Sequence, residues 1–166
     1  RKKIFPNFTL PILYRQERIG LHGKPFWIYK FRSMRKDAES DGPTVLQMSD
    51  DRHLTRVGKF LRAHHLDELP QLWNVLKGDM SFVGPRPERK FFIEEIMKHD
   101  ARYPLLYQIR PGVTSYATLH NGYTDTMEKM LKRLQLDLDY LEHRSMGLDI
   151  KILVQTFLNI AFGKQF

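Results

Sequence analysis

Residues 66–87 read LDELPQLWNVLKGDMSFVGPRP, and the rest of the chain is organised around them. Asp67 and Glu68 stand side by side where a helix is predicted to begin. Leu69, Leu72, Trp73 and Leu76 then recur at i, i+3, i+4 and i+7, the spacing of one apolar helix face. Pro70 falls in the first turn, where a missing N–H costs little. Lys77 in the last turn and Gly78 just past it form a stop signal. Ser81, Phe82 and Val83 read as a short extended segment. The GPRP at 84–87 reads as a stiff loop carrying one guanidinium.

These residues carry two readings each. Asp67 is either a helix N-cap or a carboxylate kept ionised by the helix's positive end, ready to serve as nucleophile or metal ligand; both can hold together. Arg86 lies between two prolines that restrain the backbone. It is either a surface salt-bridge partner or a guanidinium aimed at a phosphate.

The chain has 166 residues, 42% of them hydrophobic, which suits one domain with a modest core. Lys and Arg number 27 against 19 for Asp and Glu, a formal charge of +8. That balance favours anionic partners: nucleic acid, phosphorylated ligands or an acidic membrane surface. With no cysteine, disulfides and thiolate metal sites are excluded. No apolar run reaches the roughly 18 residues a spanning helix needs. The chain opens on Arg1 without a signal peptide, and the expectation is a single catalytic domain over 1–166 that is a piece of a longer protein.

Outward from the centre, residues 1–13 mix basic and apolar side chains, as either a membrane-flanking stretch or a loose terminus does. Residues 14–34 read as a hairpin: YRQERIG, a turn at 21–24, then the aromatic run PFWIYKF. Lys30 and Arg32 share a strand face with Phe26 and Ile28; Lys30 is a solvated edge charge or a phosphate ligand. Residues 35–52 read as a long polar loop, the kind that is often a lid or disordered. In 55–65, Thr55 caps a helix with an apolar stripe (Val57, Phe60, Leu61) and a basic one (Arg56, Lys59, Arg62); the basic stripe is a solvated face or an aid to holding an anion.

Beyond the centre, 88–103 reads as a helix burying Phe92, Ile93, Ile96 and Met97 and closed by Pro104. Arg110 heads a second stiff turn, and Asn121-Gly122 marks another. A helix over 125–144 has its core face at Met127, Met130, Leu131, Leu134, Leu138 and Leu141. Asp137 sits at the border of that face, as a surface acid or the partner of a cation. Residues 148–162 are strongly apolar, with a thin polar stripe at Lys151, Gln155 and Asn159. They pack into the core or lie in a bilayer interface, and the charge balance favours the interface. The architecture expected is α+β, mostly helical, with a small N-terminal β-hairpin.

Together, YRQERIG (14–20), YKFRSM (29–34), TRVGKFLR (55–62), the block at 66–87, RPGVTS (110–115) and LDLDYLEHRSMGLDIKIL (136–153) resemble the bacterial sugar transferases. These are the small monotopic polyprenyl-phosphate sugar-1-phosphate transferases. The resemblance covers most of the chain in the family's order. It implies transfer of a sugar-1-phosphate from a UDP-sugar to polyprenyl (undecaprenyl) phosphate with release of UMP, as the first membrane step of surface glycan synthesis. It implies Asp67 as nucleophile and, with Glu68, as the place of Mg²⁺. Lys30, Arg86 and Asp137 match the family's other functional positions, and Arg32 and Arg110 join them as candidate phosphate contacts. It also implies a place on the cytoplasmic face of the bacterial inner membrane, with an anchor upstream of YRQERIG. A homodimer through the apolar helix is a further expectation.

Two departures stand out. The family's upstream apolar segment is expected to lie before Arg1, in the rest of a longer protein, and 112–118 reads GVTSYAT where the family often has GITGWAQ, which leaves the sugar open. A basic nucleic-acid-binding module and a catalytically inactive interaction domain are the alternatives. The first lacks a zinc pattern, a recognition helix and an RNA-binding strand signature. The second is opposed by the intact Asp67, Glu68 and Arg86.

Overall fold

Alternating side chains on either side of a turn signal fold as a hairpin. In the computed structural model, which describes residues 12–34, 54–122, 124 and 126–162, β1 (Leu13–Ile19) pairs antiparallel with β2 (Pro25–Phe31). The connecting 3₁₀ turn puts His22 in the left-handed region at φ 58°. Of the stretch 1–13 only residues 12 and 13 are among the described residues, and the 35–52 loop lies outside them.

Helix α1 (Arg56–Ala63) begins where Thr55 accepts the Gly58 N–H at 2.8 Å, the predicted cap. A 3₁₀ turn, Leu66–Glu68, intervenes before α2 (Gln71–Lys77), which ends at Gly78 with φ 81°. Two short strands follow the pattern less visibly. β3 (Ser81–Val83) pairs in parallel with β4 (Gly112–Thr114), Ser81 opposite Gly112 and Val83 opposite Thr114. At this seam a Cβ on Gly84 would overlap the Arg110 carbonyl, so the close approach of the two backbones requires glycine.

Between these strands run α3 (Lys90–Met97) and a 3₁₀ segment at Tyr103–Gln108. The helix predicted over 88–103 is therefore shorter, and Pro104 opens the 3₁₀ segment instead of closing α3. Then come α4 (Tyr116–Asn121), α5 (Met127–His143) and α6 (Met146–Ala161), capped by Ser115, Thr126 and Ser145 respectively. The architecture is α+β and mostly helical, as expected. No helix among the described residues is long and apolar enough to cross a membrane.

The main core joins Phe92, Ile93 and Ile96 of α3 to Met130, Leu134 and Leu138 of α5, with Tyr103 and Leu106 between them. A smaller cluster packs Val83, Tyr140 and Ile152. Met97, expected in the buried stripe, is 40% exposed.

The apolar face of α2 does not join either cluster. Leu69, Leu72, Trp73 and Leu76 are all exposed, Leu76 by 80%. The helix instead buries Gln71 and Asn74. Periodicity correctly grouped the four apolar residues on one face, but that face points away from the protein. Helix α6 behaves alike: Ile152 is buried, whereas Ile150, Val154 and Phe157 are exposed.

Candidate active site

The site is built where α2 meets the hairpin. Asn74 is fully buried and bonds the edge of β2 on both sides of Ile28: its Nδ2 donates to the Trp27 carbonyl at 2.7 Å, and its Oδ1 accepts the Tyr29 N–H at 3.2 Å. One side chain thus takes the place of a neighbouring strand, since buried backbone groups need partners. This fixes Lys30, the next residue along β2, against the turn that carries Asp67 and Glu68.

That turn is not the start of a helix. His65 adopts φ 53°, and the single 3₁₀ turn Leu66–Glu68 follows; Pro70 is the N-terminal neighbour of α2. Asp67 is therefore not the N-cap of α2. Its environment comes from neighbouring side chains and from its own backbone N–H. Burial pushes its pKa up, Lys30 and Arg62 draw it down, and Glu68 beside it pushes it up again, for a net rise.

Glu68 is the opposite case. Its Oε1 accepts Lys30 Nζ at 2.7 Å and lies 3.5 Å from Arg86 Nη2. Burial alone would raise its pKa, but the two cations outweigh burial and bring it to about 2. Lys30 is lowered in turn by burial, with Glu68 opposing. Two neighbouring carboxylates are thus driven apart, one toward higher and one toward lower pKa, which is how a site assigns different roles to like groups.

The two remaining cations of the sequence reading are engaged elsewhere. The Arg32 guanidinium lies over the Tyr14 ring at 5.6 Å. Arg110 Nε donates to the Gly78 carbonyl at 2.8 Å, at the C-terminal end of α2, where a cation complements the helix dipole. Neither is drawn into the group formed by Lys30, Glu68 and Arg86.

Asp137 is not a surface acid. It is 2% exposed, inside the protein behind the Arg86 loop. Burial, only partly offset by Arg133 and by the Arg86 backbone, lifts its pKa to about 8. Its place in the site is indirect: it borders, with Arg86, Glu88 and Arg133, the small cavity behind the loop.

Sequence reasoning passed over Asn74, Gln71 and Glu88. Asn74 left one trace, an amide three residues after Gln71 and outside the apolar stripe of the same helix. Glu88 stands next to Pro87, and its partners Arg18 and Arg133 are 70 and 45 residues away along the chain.

Asp67 and Glu68 offer hard oxygen donors, and among the described residues no group of three His, Asp or Glu is placed to form a complete metal cage. Magnesium is commonly held by one or two carboxylates together with substrate phosphates, and the pair fits that manner of binding.

Buried Asp67 and half-buried Glu68 thus stand beside a lysine and an arginine in a basic chain with exposed apolar helix faces. The family model for bacterial sugar transferases matches residues 4–163, and the chain belongs to that family. It is 44% identical over 148 residues to the UDP-glucose:undecaprenyl-phosphate glucose-1-phosphate transferase of Escherichia coli (strain K12), covering 88% of this chain and 32% of that protein. It is 46% identical over 150 residues to the same-named enzyme of Caulobacter vibrioides, covering 88% and 55%. It is 38% identical over 153 residues to the UDP-N-acetylgalactosamine-undecaprenyl-phosphate N-acetylgalactosaminephosphotransferase of Aeromonas hydrophila, covering 92% and 36%. The chain thus spans about a third of two of these relatives and about half of the third.

Proposed function

We propose that this chain carries the catalytic centre of an enzyme that moves a sugar-1-phosphate from a UDP-sugar to polyprenyl phosphate. An Asp67 oxygen attacks the sugar-bearing phosphorus of the donor. The bond from that phosphorus to the bridging oxygen breaks, and UMP leaves with the bond's electrons. The resulting aspartyl phosphosugar is then attacked at the same phosphorus by an oxygen of polyprenyl phosphate. The bond to Asp67 breaks, the carboxylate is regenerated, and a polyprenyl diphosphate sugar is released. Dividing the reaction this way makes it ping-pong.

The observation that carries the reading is the convergence of Lys30 and Arg86 on Glu68, next to Asp67 in a sheltered turn. A carboxylate approaches a diphosphate only if the diphosphate charge is neutralised, and these two cations are in reach to exchange Glu68 for a phosphate. The raised pKa of Asp67 makes its ionised form a stronger base than an ordinary aspartate. Mg²⁺ held by Asp67 and Glu68 would supply further charge neutralisation at the diphosphate. Relatives of comparable identity bear the names of glucose and N-acetylgalactosamine transferases, which supports a UDP-sugar donor without selecting the sugar.

A lipid acceptor places the reaction at a membrane surface. The exposed apolar faces of α2 and α6, with Val57 and Phe60 of α1 beside Arg56, Lys59 and Arg62, support a monotopic seat on an anionic leaflet. The full-length protein, incubated with UDP-sugar and Mg²⁺ but no acceptor, is expected to release UMP stoichiometric with enzyme. Mass spectrometry should then find the phosphosugar on Asp67. Turnover in Asp67→Asn within tenfold of wild type would overturn the mechanism.

A further inference from the structure

The proposed chemistry uses the Arg86 guanidinium but says nothing of what aims it. Glu88, two residues on, sits at the centre of a sheltered ionic group. Its Oε1 accepts from Arg133 Nη1 of α5, and its Oε2 from Arg18 Nη1 of β1 at 3.4 Å. Its own carbonyl accepts the Ile19 N–H at 3.1 Å. Side-chain exposures of 16%, 14% and 14% for Arg18, Glu88 and Arg133 keep water from substituting readily for these bonds.

One residue therefore ties the hairpin and α5 to the loop. Pro85 and Pro87 have no N–H, so Arg86 offers the only amide across 85–87. Asp137 Oδ1 has no hydrogen-bond partner, and a small cavity bordered by Arg86, Glu88, Tyr103, Arg133 and Asp137 lies behind the loop.

We propose that Glu88 is a positioning residue: by bridging Arg18 and Arg133 it fixes the 84–88 loop and so the aim of Arg86 at the anionic group beside Asp67. Its effect on turnover rests on the transferase reading; its effect on the loop does not. A purely structural Glu88 would support the fold equally whether or not Arg86 is present, whereas a positioning Glu88 acts only through Arg86.

The test is a double-mutant cycle in the full-length protein, read by UMP release, with amide exchange at Arg86 measured alongside. Glu88→Gln is made with Arg86 intact and with Arg86→Ala. Because Glu88→Gln leaves two arginines short of a counter-charge and can fail to fold, Glu88→Gln/Arg133→Met is run in parallel; it removes one charge of each sign. The expected result is a loss of about a hundredfold in kcat with Arg86 intact, the cost of a misplacement near 1 Å, and a loss below about twofold in the Arg86→Ala background. Arg86 amide exchange is expected to rise at least about tenfold in the Glu88 variants, reporting the freed loop. Equal losses in both backgrounds, or unchanged Arg86 exchange, would overturn the proposal. If Arg86→Ala alone leaves turnover intact, the catalytic reading of Arg86 fails instead, and the exchange rates still decide whether Glu88 clamps the loop.

Discussion

Asn74→Ala is the sharpest test of how the site is held together. The side chain is wholly buried and makes three hydrogen bonds, to the Trp27 carbonyl, the Tyr29 N–H and Asp79 Oδ2, the last at 3.3 Å. Asp79 keeps Lys77 at 2.9 Å, so its loss counts little. The two strand groups keep nothing in exchange. Leaving a sheltered backbone donor or acceptor unsatisfied costs about 1–3 kcal/mol each, so the substitution should cost about 2–6 kcal/mol in all. For a domain of this size that is a fall in Tm of roughly 5–25 °C. Asn74→Asp should be no milder. It keeps an acceptor for Tyr29 but turns a carboxylate oxygen toward the Trp27 carbonyl, with the Asp79 carboxylate nearby. Thermal unfolding by circular dichroism reads the result, and a Tm within about 2 °C of wild type for Asn74→Ala would refute the claim that this amide holds the hairpin to α2.

Three further outcomes are expected. The folded-state pKa of Glu68 is depressed from 4.5 to about 2, so the stability it adds is present above pH 4.5 and disappears as pH falls toward 2; the amount is about 3 kcal/mol. Glu68→Gln should flatten the acid limb of a Tm-versus-pH curve, and an unaltered limb would contradict the ion-pair geometry. Asp137 is the reverse case, raised from 3.8 to about 8, so stability declines as pH climbs between those values. Asp137→Asn removes the titrating group and should raise Tm at pH 8 relative to wild type, whereas a curve parallel to wild type would show that the carboxyl is not held neutral. Leu76→Glu, at a site 80% exposed, should leave Tm nearly unchanged. Its sedimentation with anionic phospholipid vesicles should fall about tenfold, the worth of one leucine leaving an apolar phase; undiminished sedimentation would remove α2 from the membrane face.

The hairpin, α1, α5 and α6 were legible because their signals are local: an aromatic run beside a turn, a threonine before a stripe, a long apolar repeat. The inversion of α2 was not. A repeat at i, i+3, i+4 and i+7 says which residues share a side, and the usual assumption that this side meets the protein's own core failed for Leu69, Leu72, Trp73 and Leu76. Strands β3 and β4 are three residues each, too short for an alternation to register. Within the site, Lys30 and Arg86 were named from the sequence and do meet at Glu68. Asp137 was named too, but its burial depends on Arg86 and Arg133 packing over it, and half of that arrangement comes from a loop some fifty positions earlier. Asp67 was expected at the start of α2; it lies instead in a separate 3₁₀ turn that follows the left-handed backbone of His65.

The parallel seam between β3 and β4 has a bearing on how this protein is made. Ser81 N–H bonds the Pro111 carbonyl, Gly84 N–H bonds Thr114 and Gly112 N–H bonds Pro85, so the loop bearing Arg86 acquires its backbone partners only once residues 111–114 have left the ribosome. Its anchor at Arg133 emerges later still. A nascent chain halted near residue 125 would already contain Lys30, Asp67, Glu68 and Arg86, yet they would not be assembled. The ionic group that holds the Arg86 loop is thus complete only once α5 has emerged and packed against it.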